Sequence, residues 1–325
     1  MKMTCVSQDH RDFLIRCTAF LAGILLLTGC NILIPQGEGA GGTALPAGPQ
    51  VQPARMVLPD PARHNSVVIS GQIAPVEPGL PFSIGTSVEG RPLLTYRFGV
   101  GSVFVALIGG IHGGYEANTV TLAGRFMELL AESPEIIPSD VSVFIIPAMN
   151  PDGLRKPGPK GRVNASQVDL NRNWGCNWVE DAAAYRGVPF TTGSSAFSEP
   201  ETRAARDFLL HNDFKIAVFY HSRGAVIFHG ECGGTGQSLE VAESVSRATG
   251  YRVVDSAEYP TTRALPGSIT GEAADYLDSQ GVAAIDVELS GRDDAGIDWQ
   301  ANYQGLLAIM DYAVRVYATP ELSDG

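Results

Sequence analysis

The stretch VFVALIGGIHGGYE, residues 103–116, carries the strongest structural signal in this chain. Its first six residues are all apolar, which is typical of a strand buried on both faces of a sheet. Four glycines then surround His112, and glycine allows the backbone to bend sharply and neighbours to approach closely. A helix is expected next, over about residues 116–132, where apolar residues recur with helical spacing. A buried strand, a turn and a helix in this order indicate an α/β fold.

The same alternation of strand and helix patterns continues along the chain. The predicted strands are 93–98, 103–108, 141–146, 216–220 and 283–289, and the further predicted helices are 198–210, 238–249, 271–280 and 300–317. Continuous apolar strands separated by helices indicate a sheet that is covered on both faces. We therefore predict an α/β fold with a single domain, in which helices cover both faces of a mixed, mostly parallel sheet.

Two local patterns give further expectations. Segment 93–98 alternates between polar and apolar residues more than the other strands, which favours a place at the edge of the sheet. The sequence SEPE at 198–201 has the form of a helix start. Ser198 is its expected N-cap, and Pro200 lies in the first turn.

Polar side chains follow the ends of four predicted strands, and these residues are His112, Asn150, His221 and Glu288. Ligands of open α/β sheets bind outside the carboxyl ends of the strands, so these side chains are expected to share one site. Two imidazoles and a carboxylate, from His112, His221 and Glu116, suit a catalytic zinc ion with one open position. A single buried histidine is more often a hydrogen-bonded core residue, but that explanation would have to hold for both histidines at once. The sequence therefore predicts one zinc ion per chain.

A later glutamate and a group of basic residues complete this pattern. Glu288, in VEL at 287–289, is the expected general base, because a dry site beside a metal gives a carboxyl group a pKa suited to proton transfer. The alternative for Glu288 is a salt-bridged carboxylate at a strand end. The basic side chains between 155 and 162 form either a solvated loop or a patch that attracts an anionic substrate.

The composition excludes some partners. Acidic residues outnumber basic ones by 35 to 23, and nucleic acid is excluded because phosphate binding needs a basic surface. Charged residues make up only 18% of the chain, which indicates a globular protein and not a disordered one.

The N-terminal residues are expected to direct the protein out of the cytoplasm. Arg11 and Arg16 precede an apolar run, 19–27, that is too short to span a bilayer and suits the core of a signal peptide. The sequence LTGC at 27–30 resembles a bacterial lipobox, which implies that Cys30 becomes a lipidated N-terminus. An ordinary signal peptide and an uncleaved anchor are the alternatives. We expect an extracytoplasmic bacterial lipoprotein that is anchored to a membrane through its acyl chains.

These patterns divide the chain into three segments. Residues 1–29 are the expected lipoprotein signal peptide, and 30–64 form a linker rich in Gly and Pro. Residues 65–320 form the expected catalytic domain. Cys176 and Cys232 are the cysteines that remain after Cys30, and an oxidising compartment would allow a disulfide between them. A zinc site with two cysteines is the weaker alternative, since neither lies in a C-x-x-C pair.

Several motifs together resemble the zinc carboxypeptidase family, the carboxypeptidase A-like metallopeptidases, over about residues 85–318. In order, they are GGIHGGYE at 109–116, NPDG at 150–153, GRVN at 161–164, VDLNRNW at 168–174, SEPET at 198–202, YHSRG at 220–224 and VEL at 287–289. The first metal motif of the family is H-x-x-E, whereas three residues separate His112 from Glu116 here. The flexible pair Gly113–Gly114 is expected to absorb the extra residue.

The resemblance implies further roles. His112, Glu116 and His221 match the zinc ligands of the family, and Glu288 matches its general base. Arg162 matches the arginine that stabilises the oxyanion.

The resemblance also implies substrate contacts. Asn171 and Arg172 match the pair that binds the terminal carboxylate. Tyr259 is assigned to the mobile tyrosine that covers the substrate, and Ile269 to the specificity pocket. His229 is expected to be a strand or loop residue outside the site.

These features together indicate a zinc metallocarboxypeptidase. We expect a monomer that hydrolyses peptide bonds and releases C-terminal residues from peptides or cell-wall stem peptides with a free C-terminal carboxylate. One alternative is a zinc-dependent amidohydrolase or deacylase acting on small acylated amino acids. The other is a non-catalytic lipoprotein that binds peptides.

Overall fold

The computed structural model of the protein describes residues 78–185, 187–255 and 270–318. Within these ranges the strands are β1 (Pro81–Thr86), β2 (Pro92–Phe98), β3 (Val103–Ile108), β4 (Val141–Ile146), β5 (Ala182–Tyr185), β6 (Val188–Thr191), β7 (Ile216–Ser222), β8 (Val226–His229), β9 (Arg252–Val253) and β10 (Ala283–Leu289). The α-helices are α1 (Ala117–Glu132), α2 (Pro151–Leu154), α3 (Pro200–His211), α4 (Gln237–Thr249), α5 (Ala273–Ser279) and α6 (Trp299–Tyr317).

Eight of these strands form one mixed sheet in the order β1-β2-β4-β3-β7-β10-β8-β9. Its four central strands, β4, β3, β7 and β10, run parallel to one another. Strands β1, β2 and β8 pair antiparallel with their inner neighbours, and β9 runs parallel to β8. Strands β5 and β6 form a separate hairpin. The four central carboxyl ends therefore lie at one edge of the sheet, where the candidate site is found.

Helices cover both faces of this sheet, as predicted. Alternate residues of the central strands pack against α1, α4 and α6 on one face and against α3 and α5 on the other. All six residues of β4 are buried, and five of them are apolar; the exception, Ser142, donates to the carbonyl oxygen of Gly101. The described residues all belong to one compact unit, Ala47–Gly325. The predicted single α/β domain is confirmed.

Two local expectations were wrong. Segment 93–98 is not at the edge, because β1 pairs with the outer side of β2. β1 escapes prediction because its sequence, PFSIGT, mixes two apolar residues with proline, serine, glycine and threonine. Gly85 is needed there, since a Cβ atom would lie 2.5 Å from Cβ of Ala204 on α3.

The N-cap of α3 is Glu199 and not Ser198. The Ser198 hydroxyl is engaged elsewhere: it donates to Glu199 Oε1 at 2.8 Å and accepts from Asn173 Nδ2 at 3.0 Å. The prediction that Pro200 lies in the first turn is confirmed.

Cys176 and Cys232 form a disulfide, with their Cα atoms 6.5 Å apart. The expected disulfide is therefore present, and the alternative of a two-cysteine zinc site is excluded. Among the helices that the structure describes, none combines the length and the apolar character that a membrane crossing requires. The predicted signal peptide, Cys30 and linker lie outside the described residues.

Candidate metal centre and active site

His112, Glu116 and His221 meet at the carboxyl edge of the sheet. Their side chains are buried, and each residue is 4% exposed or less. Glu116 Oε2 lies 3.0 Å from Nδ1 of His112 and 3.4 Å from Nδ1 of His221. The two Nδ1 atoms are 3.3 Å apart. Three possible ligand atoms, two from residues 112–116 and one from His221, thus form a nearly equilateral triangle.

This triangle fits a zinc ion. Zinc bonds to nitrogen and oxygen are about 2.0–2.1 Å long, and tetrahedral geometry then places ligand atoms about 3.3 Å apart. The three measured separations of 3.0, 3.3 and 3.4 Å agree with this value. Glu116 Oε2 is buried and makes no hydrogen bond in spite of these short distances. An acceptor without a donor, directed at the same point as two ring nitrogens, is suited to a cation.

The local backbone explains how Glu116 reaches this point with three intervening residues. Residues Gly113–Tyr115 form a turn of 3₁₀ helix, and Glu116 is the N-cap of α1. Gly113 has φ +44°, and a Cβ atom there would lie 2.6 Å from the backbone of Gly153. At Gly114 it would lie 2.3 Å from the carbonyl oxygen of Lys156. The two glycines thus let the turn fit against the 153–161 loop, and the departure from H-x-x-E does not keep Glu116 out of the site.

Asp169 supports the histidine from behind. Its Oδ1 lies 3.2 Å from Nε2 of His112, the ring nitrogen that points away from the triangle. Its Oδ2 accepts from Nε and Nη2 of Arg162, both at 2.8 Å. Burial raises the pKa of Asp169, but Arg162 and His112 outweigh it and hold the pKa well below its usual value. An ionised Asp169 fixes the His112 ring with Nδ1 facing the triangle.

Arg162 is held beside the same triangle. Its Nη1 lies 3.4 Å from Nδ1 of His112 and 3.9 Å from Oε1 of Glu116. The pair of bonds to Asp169 fixes the guanidinium plane. Two of the neighbouring basic residues, Arg155 and Lys160, are exposed on the loop. Arg162 therefore belongs to the site, whereas these two are solvated.

Glu288 lies next to His221 on the neighbouring parallel strand. Its Oε2 is buried and has no hydrogen-bond partner. Burial, together with the negative charge of Glu116, raises the pKa of Glu288 to about 7. A carboxyl group that titrates near neutral pH can both accept and return a proton.

Asn171 and Arg172 lie in a short 3₁₀ turn beside these groups. Arg172 Nη1 donates to Glu272 Oε1 at 2.9 Å and to the carbonyl oxygen of Asn171 at 2.5 Å. Asn171 is 2% exposed, and its side chain accepts from the backbone nitrogen of Ala273 at 3.0 Å. Burial raises the pKa of Glu272 to about 8 in spite of the attraction of Arg172.

The pattern of this centre can be compared with known proteins. The sequence model of the zinc carboxypeptidase family matches residues 79–311. This chain belongs to the zinc carboxypeptidase family. Family membership implies zinc and peptide-bond hydrolysis, and the His112–Glu116–His221 triangle is a group that could hold the metal.

Individual relatives of the family differ in how much of their length is matched. The chain is 30% identical to murein peptide amidase A of Escherichia coli K12 over 201 residues, which are 59% of this chain and 75% of that protein. It is 30% identical to a zinc carboxypeptidase of Simulium vittatum over 159 residues, 42% of this chain and 52% of that protein. It is 33% identical to the human carboxypeptidase N catalytic chain over 175 residues, 45% of this chain and 38% of that protein.

Solved structures of the family share the fold. Carboxypeptidase A from Helicoverpa armigera superimposes with a TM-score of 0.60 at 23% identity, covering 74% of this chain and 69% of that chain. The murein-tripeptide amidase from Escherichia coli O157 superimposes with a TM-score of 0.55 at 23% identity, covering 72% and 94%.

Two of the other predicted positions, Asn150 and His229, make local contacts of their own, and two lie where the structure gives no description. Tyr259 and Ile269 lie outside the described residues. Asn150 caps α2 by accepting from the backbone nitrogen of Gly153. His229 contacts Asp255, with Nε2 3.4 Å from Oδ1, at the β8–β9 edge of the sheet.

Sequence reasoning assigned no role to Asp169, Glu272 or Asp286. Asp169 lies inside the quoted motif VDLNRNW, directly beside the assigned residues. Asp286 lies two residues before Glu288 on a strand, and this spacing places both side chains on one face. These two were therefore detectable, whereas Glu272 joins the site only through the tertiary fold.

Proposed function

We propose that this protein is a zinc-dependent exopeptidase that releases the C-terminal residue from peptides with a free terminal carboxylate. The observation that carries the proposal is the ligand triangle of His112, Glu116 and His221, with Glu288 beside it. Two arginines on the same side of the sheet add positive charge to a site otherwise rich in carboxylates. No isolated feature of this set indicates the reaction, but the combination does.

Each side chain has a definite task in this reaction. When bound, zinc supplies a Lewis acid that polarises the scissile carbonyl group. Glu288 takes a proton from the attacking water and then passes it to the leaving amine, and a pKa near 7 suits both transfers. Arg162, fixed by Asp169, stabilises the negative charge that develops on the carbonyl oxygen.

Substrate orientation is assigned to Asn171 and Arg172. A guanidinium group binds a carboxylate through two parallel hydrogen bonds. In the substrate-free protein Glu272 occupies Nη1 of Arg172. We therefore expect the terminal carboxylate of the peptide either to displace Glu272 from Arg172 or to bind Arg172 beside it. A peptide with a blocked C-terminus lacks the group that would make this contact.

The test combines metal analysis with a peptide panel. We expect about one zinc per chain and mass-spectrometric loss of single C-terminal residues from free peptides, but not from their C-terminal amides. Glu288→Gln is expected to abolish cleavage while zinc content is retained. Glu243→Gln is the matched control, because Glu243 is exposed on α4.

Other outcomes of this panel would replace the proposal. Cleavage of small acylated amino acids in place of peptides would identify a deacylase. Equal peptide binding with and without zinc, and no cleavage, would identify a binding protein. Cleavage inside peptides would overturn the assignment of an exopeptidase.

Cell-wall stem peptides are the favoured substrate subclass. The support is the match to murein peptide amidase A, which extends over 75% of that protein at 30% identity. The panel should therefore include stem tripeptides beside ordinary peptides of the same length. A higher kcat/KM for the ordinary peptides would count against this subclass.

The site of action proposed here is extracytoplasmic, with the chain anchored through a lipid on Cys30. The disulfide between Cys176 and Cys232 supports this location, since disulfides persist in oxidising compartments. Metabolic labelling with a fatty acid should mark the wild type and not Cys30→Ala. Equal labelling, or none, would reject the anchor.

A further inference from the structure

Asp286 occupies a position behind His221 that resembles the position of Asp169 behind His112. It lies on β10, opposite Phe219 of β7, and is 5% exposed. Its Oδ2 lies 3.7 Å from Nε2 of His221. His221 on β7 and Asp286 on the neighbouring parallel strand β10 project from the same face of the sheet.

One polar atom of each of these two side chains is buried without a hydrogen bond: Nε2 of His221 and Oδ1 of Asp286. A buried polar group without a partner is costly, and such groups are rare in folded proteins. When His221 Nδ1 binds a metal, its Nε2 must carry the proton and becomes a donor. A shift of less than about 1 Å would bring the carboxylate within hydrogen-bonding distance.

Asn171 holds both aspartates. Its backbone nitrogen donates to Asp169 Oδ1 at 3.0 Å, and its Nδ2 lies 3.5 Å from Asp286 Oδ2. Asn171 therefore contacts both carboxylates that lie behind the Nε2 atoms of His112 and His221. This shared support distinguishes Asp286 from an acidic side chain that merely lies close by.

We propose that Asp286 is a positioning residue of the metal centre, whose carboxylate accepts the Nε2–H of His221 and fixes that ring for metal binding. The proposal rests on the metal site assigned above, because only a metal at Nδ1 fixes the proton on Nε2. Carboxylate partners of metal-binding histidines orient the ring and make it a stronger ligand, and their loss typically weakens metal affinity about 10- to 100-fold.

The test measures zinc affinity by competition with a chromophoric chelator. Asp286→Ala is expected to bind zinc about 10- to 100-fold more weakly than the wild type. Asp286→Asn retains an oxygen acceptor and is expected to lose less. Glu272→Gln is the matched control: it also removes a carboxylate near the site, a partly buried one, but its partner is Arg172 and not a histidine. The control should stay within about threefold of the wild type.

A second readout separates ring orientation from general charge or folding. With cobalt in place of zinc, the visible spectrum of Asp286→Asn should differ from that of the wild type, and that of Glu272→Gln should not. If Asp286→Ala does not fold, the cobalt spectrum and zinc affinity of Asp286→Asn decide the matter. Unchanged values for the Asp286 variants, or an equal loss in Glu272→Gln, would overturn the proposal. A wild type that binds zinc without cleaving peptides would instead reject the proposed function alone.

Discussion

Glu116 shows at the level of one residue how the fold assembles this centre. Burial alone raises the pKa of its carboxyl group, but the two histidines outweigh burial and lower the pKa. His221 shows the complementary effect: burial lowers its pKa, whereas Asp286 and Glu116 outweigh burial and raise the pKa to about 9. Without metal, the centre therefore favours a charged imidazole beside a charged carboxylate, and a metal ion takes the place of that proton.

The titration of Glu288 gives a testable pH dependence. Only the ionised carboxylate can accept a proton, so kcat/KM should fall as the pH is lowered through the pKa of Glu288. Burial places this pKa near 7, and the positive charge of a bound metal lowers it, so the acid limb should lie between about 4.5 and 7. The pH profile of kcat/KM checks this. If kcat/KM does not decline between pH 7 and pH 4.5, Glu288 is not the general base.

Arg172 gives a second prediction about a single residue. Arg172→Gln should raise KM for free peptides by about 10- to 100-fold, since a hydrogen bond to a charged group contributes about 1.5–3 kcal/mol. C-terminal amides should stay uncleaved, as with the wild type. The substitution leaves the partly buried Glu272 without its cation, so the control is the double variant with Glu272→Gln, which restores the charge balance. A normal KM in both variants would place the terminal carboxylate elsewhere.

The triad residues could be proposed from the sequence because their types and strand-end positions are visible there. His112, Glu116 and His221 each carry a ligand atom and follow or end a predicted strand. Asp286 also lies near the end of a predicted strand, but no sequence pattern shows that it faces a histidine. Glu272 pairs with Arg172 across 100 positions, and only the folded chain reveals such a contact.

At the scale of elements, the turn between β3 and α1 is the most constrained part of the site. Gly113→Ala should strain a backbone at φ +44° and bring a Cβ atom against the backbone of Gly153. Glu116 would then be displaced, so both zinc affinity and thermal stability should fall. Gly90→Ala is the control, because Gly90 also has a positive φ, +78°, but has nothing within 4 Å of the added atom.

This comparison separates strain from displacement. Gly90→Ala should cost about 1 kcal/mol of unfolding free energy and leave zinc affinity unchanged. If both variants lose zinc equally, or if neither does, the turn does not position Glu116.

Prediction succeeded best for elements in the middle of the sheet. The bounds of β3, β4 and β10 agree with their predicted ranges, since burial on both faces leaves sequences that are mostly apolar. Strands β1, β8 and β9 lie toward the sheet edges and carry polar residues or glycine. Their pairing depends on neighbours that are distant in the chain, so local pattern does not reveal it.

At the scale of the whole molecule, the central parallel strands and the irregular 169–174 segment contribute differently to the site. The strands place His221 and Glu288 through a continuous ladder of hydrogen bonds. The 169–174 segment carries Asp169, Asn171 and Arg172 with one short 3₁₀ turn of its own. It is held by the buried Trp174 and, two residues later, by the disulfide of Cys176.

This difference predicts how loss of the disulfide affects the protein. A cross-link across a separation of 56 residues stabilises by about 4 kcal/mol in the chain-entropy account, and the observed loss is typically 2–5 kcal/mol. The variant Cys176→Ser/Cys232→Ser should therefore unfold at lower denaturant concentration. Zinc affinity should fall less than KM rises, because His112 follows β3, His221 lies on β7 and Glu116 caps α1, so the loosened segment acts on the ligands indirectly, through Asp169 behind His112. KM should rise, because Arg172 lies on the loosened segment. A loss of zinc affinity as large as the rise in KM would show that the disulfide supports the metal centre itself.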